Sequence, residues 1–234
     1  HSIEKINKIV AINKKKFSIA NKVYKNLAKK LIFSENIKEA EASKVIENIQ
    51  RDLNIGLMNE IYQVCDKSEI NFNNVLKLAG SKWNFIKYSP GLVGGHCLPV
   101  DPYYFSWFAK KLGLNTKIIL AGRKTNNEMV KFTKEMILKK IRKYKFNSKK
   151  IKVLIMGLTY KKNVADLRNS LSIKVFQSLK KKFHNLNCYD PLIDKIHKKK
   201  YLLIDKRNIK NFDVYIVLTK HDSIKKLIRS LKNK

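Results

Sequence analysis

The chain has 234 residues, of which 51 are Lys or Arg and 18 are Asp or Glu, for a formal net charge of +33. With 44% of residues apolar it can bury a core, which excludes a disordered polybasic tail and predicts one or two domains. No apolar run reaches the roughly 18 residues of a transmembrane helix, the opening HSIEKINKIV has no signal-peptide core, and three scattered cysteines give no disulfide framework, so a cytoplasmic setting is expected.

In chain order, residues 8–12 (KIVAI) form a short β-like run. Residues 15–30 place Phe17, Ala20, Val23, Tyr24 and Leu27 at helical spacing, and 31–34 (LIFS) is a second strand. From 38 to 67 the pattern is strongly helical: Ala42, Val45, Ile46, Ile49, Leu53, Leu57, Ile61 and Val64 recur at steps of three and four with no proline. A helix that long in a small protein predicts a spine or a dimer interface. Residues 72–80 predict a further helix stopped by Gly80 at C′. The segment 81–103 holds three of the eight glycines and three of the four prolines, and predicts an ordered loop. Helices are expected at 103–112 and 123–143.

At residue 151 the period changes. IKVLIMGL (151–158) is a continuous apolar run, as in a parallel strand buried on both faces. A polar loop follows, then a helix marked by Leu171, Ile173, Val175, Phe176 and Leu179, strands at 186–190 and 214–219, and a closing helix at 222–231. The fold class is therefore α/β, with a central long-helix dimerisation region followed by a Rossmann-like, doubly wound parallel sheet. The expected divisions are 1–36, 37–146 and 147–234, with the boundary in the polar stretch 146–149.

Three sets of residues carry candidate chemistry. In YSPGLVGGHCLPVDPYY (88–104), Cys97 follows Gly94-Gly95, whose backbone is free to approach a ligand, and it neighbours His96 and precedes Asp101. That suits a thiolate nucleophile, and it equally suits a glycine turn beside a buried cysteine. Lys44 and Asn48 share a helix face, where a buried lysine with an amide one turn away stabilises an oxyanion; a lysine on the solvated side is the plain alternative. The loop from Gly157 to Arg168, at the carboxyl end of a parallel strand, offers Lys161, Lys162 and Arg168 to a phosphate or nucleotide. No CxxC and no ligand-spaced histidines point to a metal.

The charge by itself invites a nucleic-acid reading, but six of the 51 basic residues are Arg, the side chain favoured for bidentate phosphate and base contacts. The rest are Lys spread along the whole chain beside abundant Asn and Ile, as an AT-rich coding sequence produces. Such a surface still attracts anions, phosphorylated metabolites included.

The stretches AEASKVIENIQRDLNIGLMNE (40–60), GSKWNF (80–85), PGLVGGHCLPVDPYY (90–104), IILAGRKTNNEM (118–129) and VLIMGLTYKKNVADLRNS (153–170) together resemble the UDP-glucose/GDP-mannose dehydrogenase family. The HC pair, VDPYY and QRDLNI resemble its UDP-N-acetylhexosamine 6-dehydrogenase branch, which serves capsule, Vi-type and O-antigen synthesis. The resemblance implies two hydride transfers to NAD that turn a sugar C6 alcohol into a carboxylate, on a UDP-N-acetylhexosamine substrate, in a homodimer built on helix 38–67. It implies Cys97 as nucleophile through a thiohemiacetal and thioester, Lys44 and Asn48 as stabilisers of the C6 oxygen, and Asp101 in general-base work. Tyr88, Pro90, Gly91, Gly94 and Gly95 match the substrate loop, Tyr160 and Lys161 the pair touching the UDP-sugar, and Arg168 an arginine reaching NAD. Leu92 stands where a glycine is common, as in the Vi-type variant. The chain has no GxGxxG, so residues 1–36 are expected to be the last part of an NAD domain, the UDP domain to stop short, and the chain to be inactive by itself. The alternatives are a UDP-sugar-binding or decayed homologue without redox chemistry and, more remotely, a basic nucleic-acid-binding protein.

Overall fold

The computed structural model describes residues 3–145 and 150–232; the expected boundary at 146–149 lies outside them. The chain divides into two compact units, His1–Gln50 and Arg51–Lys234, and the division falls inside one continuous helix.

In the first unit, strands β1 (Asn7–Ala11) and β2 (Lys30–Ser34) pair in parallel, from Asn7 opposite Lys30 to Ala11 opposite Ser34. The helix between them, α1 (Phe17–Tyr24), is shorter than the expected 15–30. Its Lys-rich start tightens into a 3-10 turn over Lys14–Lys16, where Asn13 Oδ1 accepts the Lys15 N–H. Its end turns early to reach β2, with Lys29 N–H donating to Ile6 O. Phe17 stacks on Phe33 at 4.4 Å and Ala20 is buried.

Helix α2 (Ile37–Lys67) runs 31 residues, about 46 Å at 1.5 Å per residue. Asn36 caps it: Oδ1 accepts the Lys38 N–H at 2.9 Å while Nδ2 reaches Glu39. The buried face follows the expected apolar stripe only in part: Ile49 is buried and Ala42, Val45, Leu53 and Ile61 are half-buried. Ile46, Leu57 and Val64 are exposed, whereas Asn48, Asp52 and Asn59 are buried. In the second unit the reason is a polar network with a later helix, described below, which draws Asp52 and Asn59 inward.

The second unit continues with α3 (Phe72–Ala79), capped by Asn71 Oδ1 on the Asn74 N–H. Gly80 ends α3, but with φ −72° it is not the left-handed C′ residue expected; a Cβ there would stand 2.8 Å from Leu76 O, which is why the position is glycine. Helix α4 (Asp101–Lys111) begins two residues before its expected start, with Pro102 in its first turn. Helix α5 (Lys117–Lys143) starts six residues earlier than expected and crosses α2 closely, where a Cβ on Gly56 would lie 3.2 Å from Gly122 O.

The sheet of this unit has strands β3 (Lys152–Met156), β4 (Asn185–Tyr189) and β5 (Val214–Val217), all parallel, in the order β4–β3–β5. The chain leaves β3 through α6 (Leu171–Lys180) to β4, then passes back through a short helix α7 (Lys198–Tyr201) to β5 on the other side, and ends in α8 (Asp222–Lys232). Side chains alternate across a strand, so β3 serves two cores. Val153 and Ile155 pack with Val175, Phe176 and Leu179 of α6 and with Ile137 and Ile141 of α5. Leu154 and Met156 pack with Ile224 of α8. This is the doubly wound sheet the continuous apolar run predicted. Its switch point lies between β3 and β5, where the connections leave the central strand in opposite directions.

Candidate functional site

Two loops of the second unit meet beside that switch point. The first, 88–100, precedes α4; the second, 157–170, joins β3 to α6. Gly95 N–H donates to Arg168 O at 3.2 Å, and Asn169 Nδ2 donates back to Gly95 O at 3.1 Å. Gly94 and Gly95 are buried, and their missing side chains make room for Tyr160. A Cβ on Gly95 would stand 2.7 Å from the Tyr160 ring and one on Gly94 2.7 Å from Asn169 O. Gly95 also has φ +99°. The pair therefore joins one loop to the other, and the backbone expected to lie open to a ligand is covered by Tyr160.

Further along this loop Gly91 is gripped by Asn59 of α2: Asn59 Oδ1 accepts the Gly91 N–H at 2.7 Å and Nδ2 donates to Gly91 O at 3.0 Å. Tyr88 and Pro90 are half-buried beside it. Cys97 is exposed, so the buried-cysteine alternative does not hold, and its carbonyl accepts the N–H groups of Val100 and Asp101, both at 2.9 Å, at the start of α4. The Arg168 guanidinium feels both Cys97 and Tyr160 electrostatically and is clamped by Asp166, with Arg168 Nη2 2.7 Å from Asp166 Oδ2. These hydrogen bonds hold the Asp166 carboxyl below its ordinary value of 3.8. Tyr160 and Lys161 sit at the head of the same loop, Tyr160 half-buried and Lys161 exposed.

Lys44 and Asn48 belong to the first unit. Asn48 is buried, but the Lys44 side chain is 62% exposed and pairs with Glu47 at 2.7 Å. The expectation of a buried lysine thus holds for the amide and not for the cation, because a lysine left in water keeps its hydration and takes a surface carboxylate instead.

Sequence reasoning missed two buried polar networks. The first ties α2 to α5. Arg123 Nη1 bonds Asp52 Oδ1, and Asn126 Nδ2 donates to the same oxygen at 2.8 Å and to Asp52 O at 2.9 Å. Asn126 Oδ1 then accepts from Asn59 Nδ2 at 2.7 Å, which carries the network to Gly91. Burial pushes the Asp52 carboxyl upward, opposed by Arg123. The signal was available: Asn126 and Arg123 sit one helical turn apart in phase with buried Met129.

The second lies under loop 157–170. The Asp190 carboxylate at the end of β4 accepts the N–H groups of Leu158 at 2.6 Å, Thr159 at 3.2 Å and Leu192 at 2.9 Å. Its neighbour His221, also buried, accepts the Asn163 N–H at Nδ1 and faces Thr159 Oγ1 and Asp190 Oδ2 with Nε2. Thr219 Oγ1 donates to Thr159 O at 2.6 Å. A dinucleotide fold would offer the turn after its first strand to a pyrophosphate; here Asp190 already fills the N–H groups of that turn, and residues 1–50 contain no glycine. That turn therefore has no free N–H groups at Leu158 and Thr159 to offer a dinucleotide's phosphates, and Arg168, paired with Asp166, is a cation at the site's edge. Among the described residues no three His, Cys, Asp or Glu side chains are grouped to hold a metal, and no helix is long and apolar enough to cross a membrane.

A central parallel sheet wound on both sides, with loops gathered at the carboxyl ends of its strands and a long helix before it in the sequence, defines a Rossmann-like α/β protein. Residues 38–128 match the central domain of the UDP-glucose/GDP-mannose dehydrogenase family and residues 154–234 its UDP binding domain, so the chain belongs to that family. It is 40% identical over 226 residues to Protein CapL of Staphylococcus aureus, covering 94% of this chain and 53% of CapL. It is 41% identical over 197 residues to the UDP-N-acetyl-D-glucosamine 6-dehydrogenase of Salmonella typhi, covering 83% of this chain and 46% of that protein. Among solved structures, the UDP-N-acetyl-mannosamine dehydrogenase Cap5O from S. aureus superposes with a TM-score of 0.76 at 28% identity, covering 95% of this chain and 51% of that one. The chain spans about half the length of the relatives it matches.

Proposed function

We propose that this chain provides the UDP-sugar-binding and thiol-bearing part of an NAD-dependent UDP-N-acetylhexosamine 6-dehydrogenase for surface polysaccharide synthesis. The observation that carries the reading is the junction of the two loops at Gly95 and Arg168, which gathers Tyr160, Arg168 and exposed Cys97 on one side of the switch point. Similarity to dehydrogenases of N-acetylated UDP-sugars supports the substrate class. The two family matches support a central region over 37–146 and a UDP-binding region over 147–234.

In this reading Lys161 and Tyr160 hold the UDP moiety, and Tyr88, Pro90, Gly91, Gly94 and Gly95 shape the sugar's loop. NAD supplies the hydride acceptor of the overall oxidation. Cys97 acts on the C6 aldehyde: its thiolate sulfur forms the C–S bond and the carbonyl electron pair moves onto oxygen, giving a thiohemiacetal. A hydride leaving that carbon, for which NAD would be the acceptor, would convert the thiohemiacetal to the thioester; water then adds to the thioester carbon, Asp101 takes the water's proton, and the C–S bond breaks to return the thiolate. Lys44 and Asn48 stabilise negative charge on the C6 oxygen, which requires Lys44 to leave Glu47. Exposed Leu57 and Val64 on α2 supply the face for a second copy of the chain. Three free cysteines suit the cytoplasm.

The test is calorimetric titration of the 234-residue chain with UDP, UDP-N-acetylglucosamine and uridine. Saturable binding of both nucleotides, with uridine at least about tenfold weaker, supports the reading. No heat from any of the three, in a folded chain, overturns it.

A further inference from the structure

We propose that His221, fixed by Asp190, is a positioning residue that sets the conformation of the loop 159–163 and thereby the affinity for the diphosphate of a nucleotide. The inference rests on the reading of Tyr160 and Lys161 as nucleotide contacts.

The imidazole touches the loop at both ends. Asn163 N–H donates to His221 Nδ1 at 2.9 Å, so that nitrogen keeps its lone pair and the proton sits on Nε2. Nε2 stands 3.1 Å from Thr159 Oγ1, and the Thr159 hydroxyl in turn donates to Lys161 O at 3.2 Å. One side chain therefore closes a relay from the Asn163 amide through Thr159 to the Lys161 carbonyl. Asn163 is left-handed, φ 58°, a conformation that needs support from outside the loop. Part of that support is a surface lattice in which Asn163 Oδ1 accepts the Asp222 N–H at 3.1 Å and Lys162 pairs with Asp222 at 2.6 Å.

Asp190 completes the arrangement. Its Oδ2 lies 3.3 Å from His221 Nε2 while also accepting the Leu158 and Thr159 N–H groups, so it fixes the ring's tautomer and the root of the loop together. His221, Asp190 and Thr159 are all buried, at 1%, 6% and 0% exposure. None of them is open to a ligand, and exposed Lys161 is. The buried set can therefore reach the diphosphate only by placing Lys161.

The experiment compares the wild-type chain with His221→Leu, His221→Gln and Thr159→Val. Glutamine offers an acceptor and a donor in place of the two ring nitrogens, and valine replaces threonine at nearly the same shape without its hydroxyl. Kd values for UDP and uridine are measured together with amide hydrogen exchange at Asn163. His221→Leu and Thr159→Val are expected to weaken UDP about tenfold and uridine less than about threefold, and His221→Leu to speed Asn163 exchange, with His221→Gln restoring both properties. Thr159→Val keeps the test decisive if His221→Leu does not fold. An unchanged ratio of UDP to uridine affinity in the folded variants, or slow Asn163 exchange in His221→Leu, overturns the proposal while leaving the UDP site intact. A wild-type chain that binds no UDP overturns the site's assignment, and this inference with it.

Discussion

Asn59 holds both backbone polar atoms of Gly91 from a fully buried position, at 2.7 Å through Oδ1 and 3.0 Å through Nδ2. The loop that carries Cys97 is thus anchored on the long helix by a single amide. Asn59→Asp keeps the size and the Oδ1 acceptor but removes the donor serving Gly91 O and Asn126 Oδ1. Acceptors then face acceptors. An unsatisfied buried group costs about 1–3 kcal/mol; Asn126 Oδ1 becomes one, while exposed Gly91 can turn its carbonyl to water, so a loss of about 1–3 kcal/mol is expected in urea unfolding. Wild-type stability in this variant would show that the loop is not held through Asn59.

The three cysteines differ sharply in environment. Cys97 is exposed, whereas Cys65 and Cys188 are buried, and burial pushes the Cys188 thiol far up, with Asp190 adding to the effect. Since the thiolate is the species that reacts, iodoacetamide at about pH 8 should label Cys97 first and leave Cys65 and Cys188 until the chain unfolds. Mass spectrometry of the native protein should find one modified cysteine. Labelling of Cys188 as fast as Cys97 would contradict the packing of β4.

Much of this fold is legible without coordinates because its parts obey local rules. The run 151–158 is apolar without alternation because β3 is covered on both faces, and helix 38–67 follows from uninterrupted periodicity. What the pattern hides is the side of α2 that faces inward. Leu57 and Val64 fit the stripe yet are exposed, while Asp52 and Asn59 break it and are buried. A periodicity count scores polarity, and these polar groups are buried because partners on α5 and at Gly91 satisfy them. The same holds for His221, whose sequence neighbours offer no metal spacing and whose partners Asp190 and Thr159 are brought to it by the sheet. Cys97, by contrast, stands out as a candidate from its setting between a glycine pair and an acid, and it is exposed.

Two surface carboxylates, half-buried Asp166 and exposed Asp222, should titrate low. Arg168 holds Asp166 below 3.8, and Lys162 with Asn163 does the same to Asp222. A carboxylate whose folded value lies under its unfolded one contributes stability above the unfolded value and loses it as pH falls through the folded one. From these two groups no loss is expected between about pH 8 and pH 5; it sets in as pH falls toward 3.8 and is complete below the folded values. Carbon-13 titration should give midpoints below that value, and Arg168→Ala should return Asp166 toward it. Salt at about 0.5 M should shrink both shifts, since surface pairs are screened.

The Asp52–Arg123 pair tests how the helical region tolerates buried charge. Both side chains are 1% exposed, and each keeps one polar atom without a protein partner, Asp52 Oδ2 and Arg123 Nε. Removing one member strands the other, which typically costs about 3–5 kcal/mol, whereas replacing both with apolar groups of similar volume is often neutral or better. Arg123→Met should therefore be strongly destabilising: it leaves the buried Asp52 carboxylate facing the Asn126 amide without its counter-charge. Asp52→Leu should be comparably harmful, because it buries a guanidinium whose other contact is Asn127 at 2.8 Å. Asn126 keeps its bond to the Asp52 carbonyl in either case, so the link to Asn59 and Gly91 survives. The double variant should then be more stable than the sum of the two single losses by several kcal/mol, a coupling read from a double-mutant cycle of urea midpoints. Simple additivity of the two losses would mean that the charges are not energetically paired.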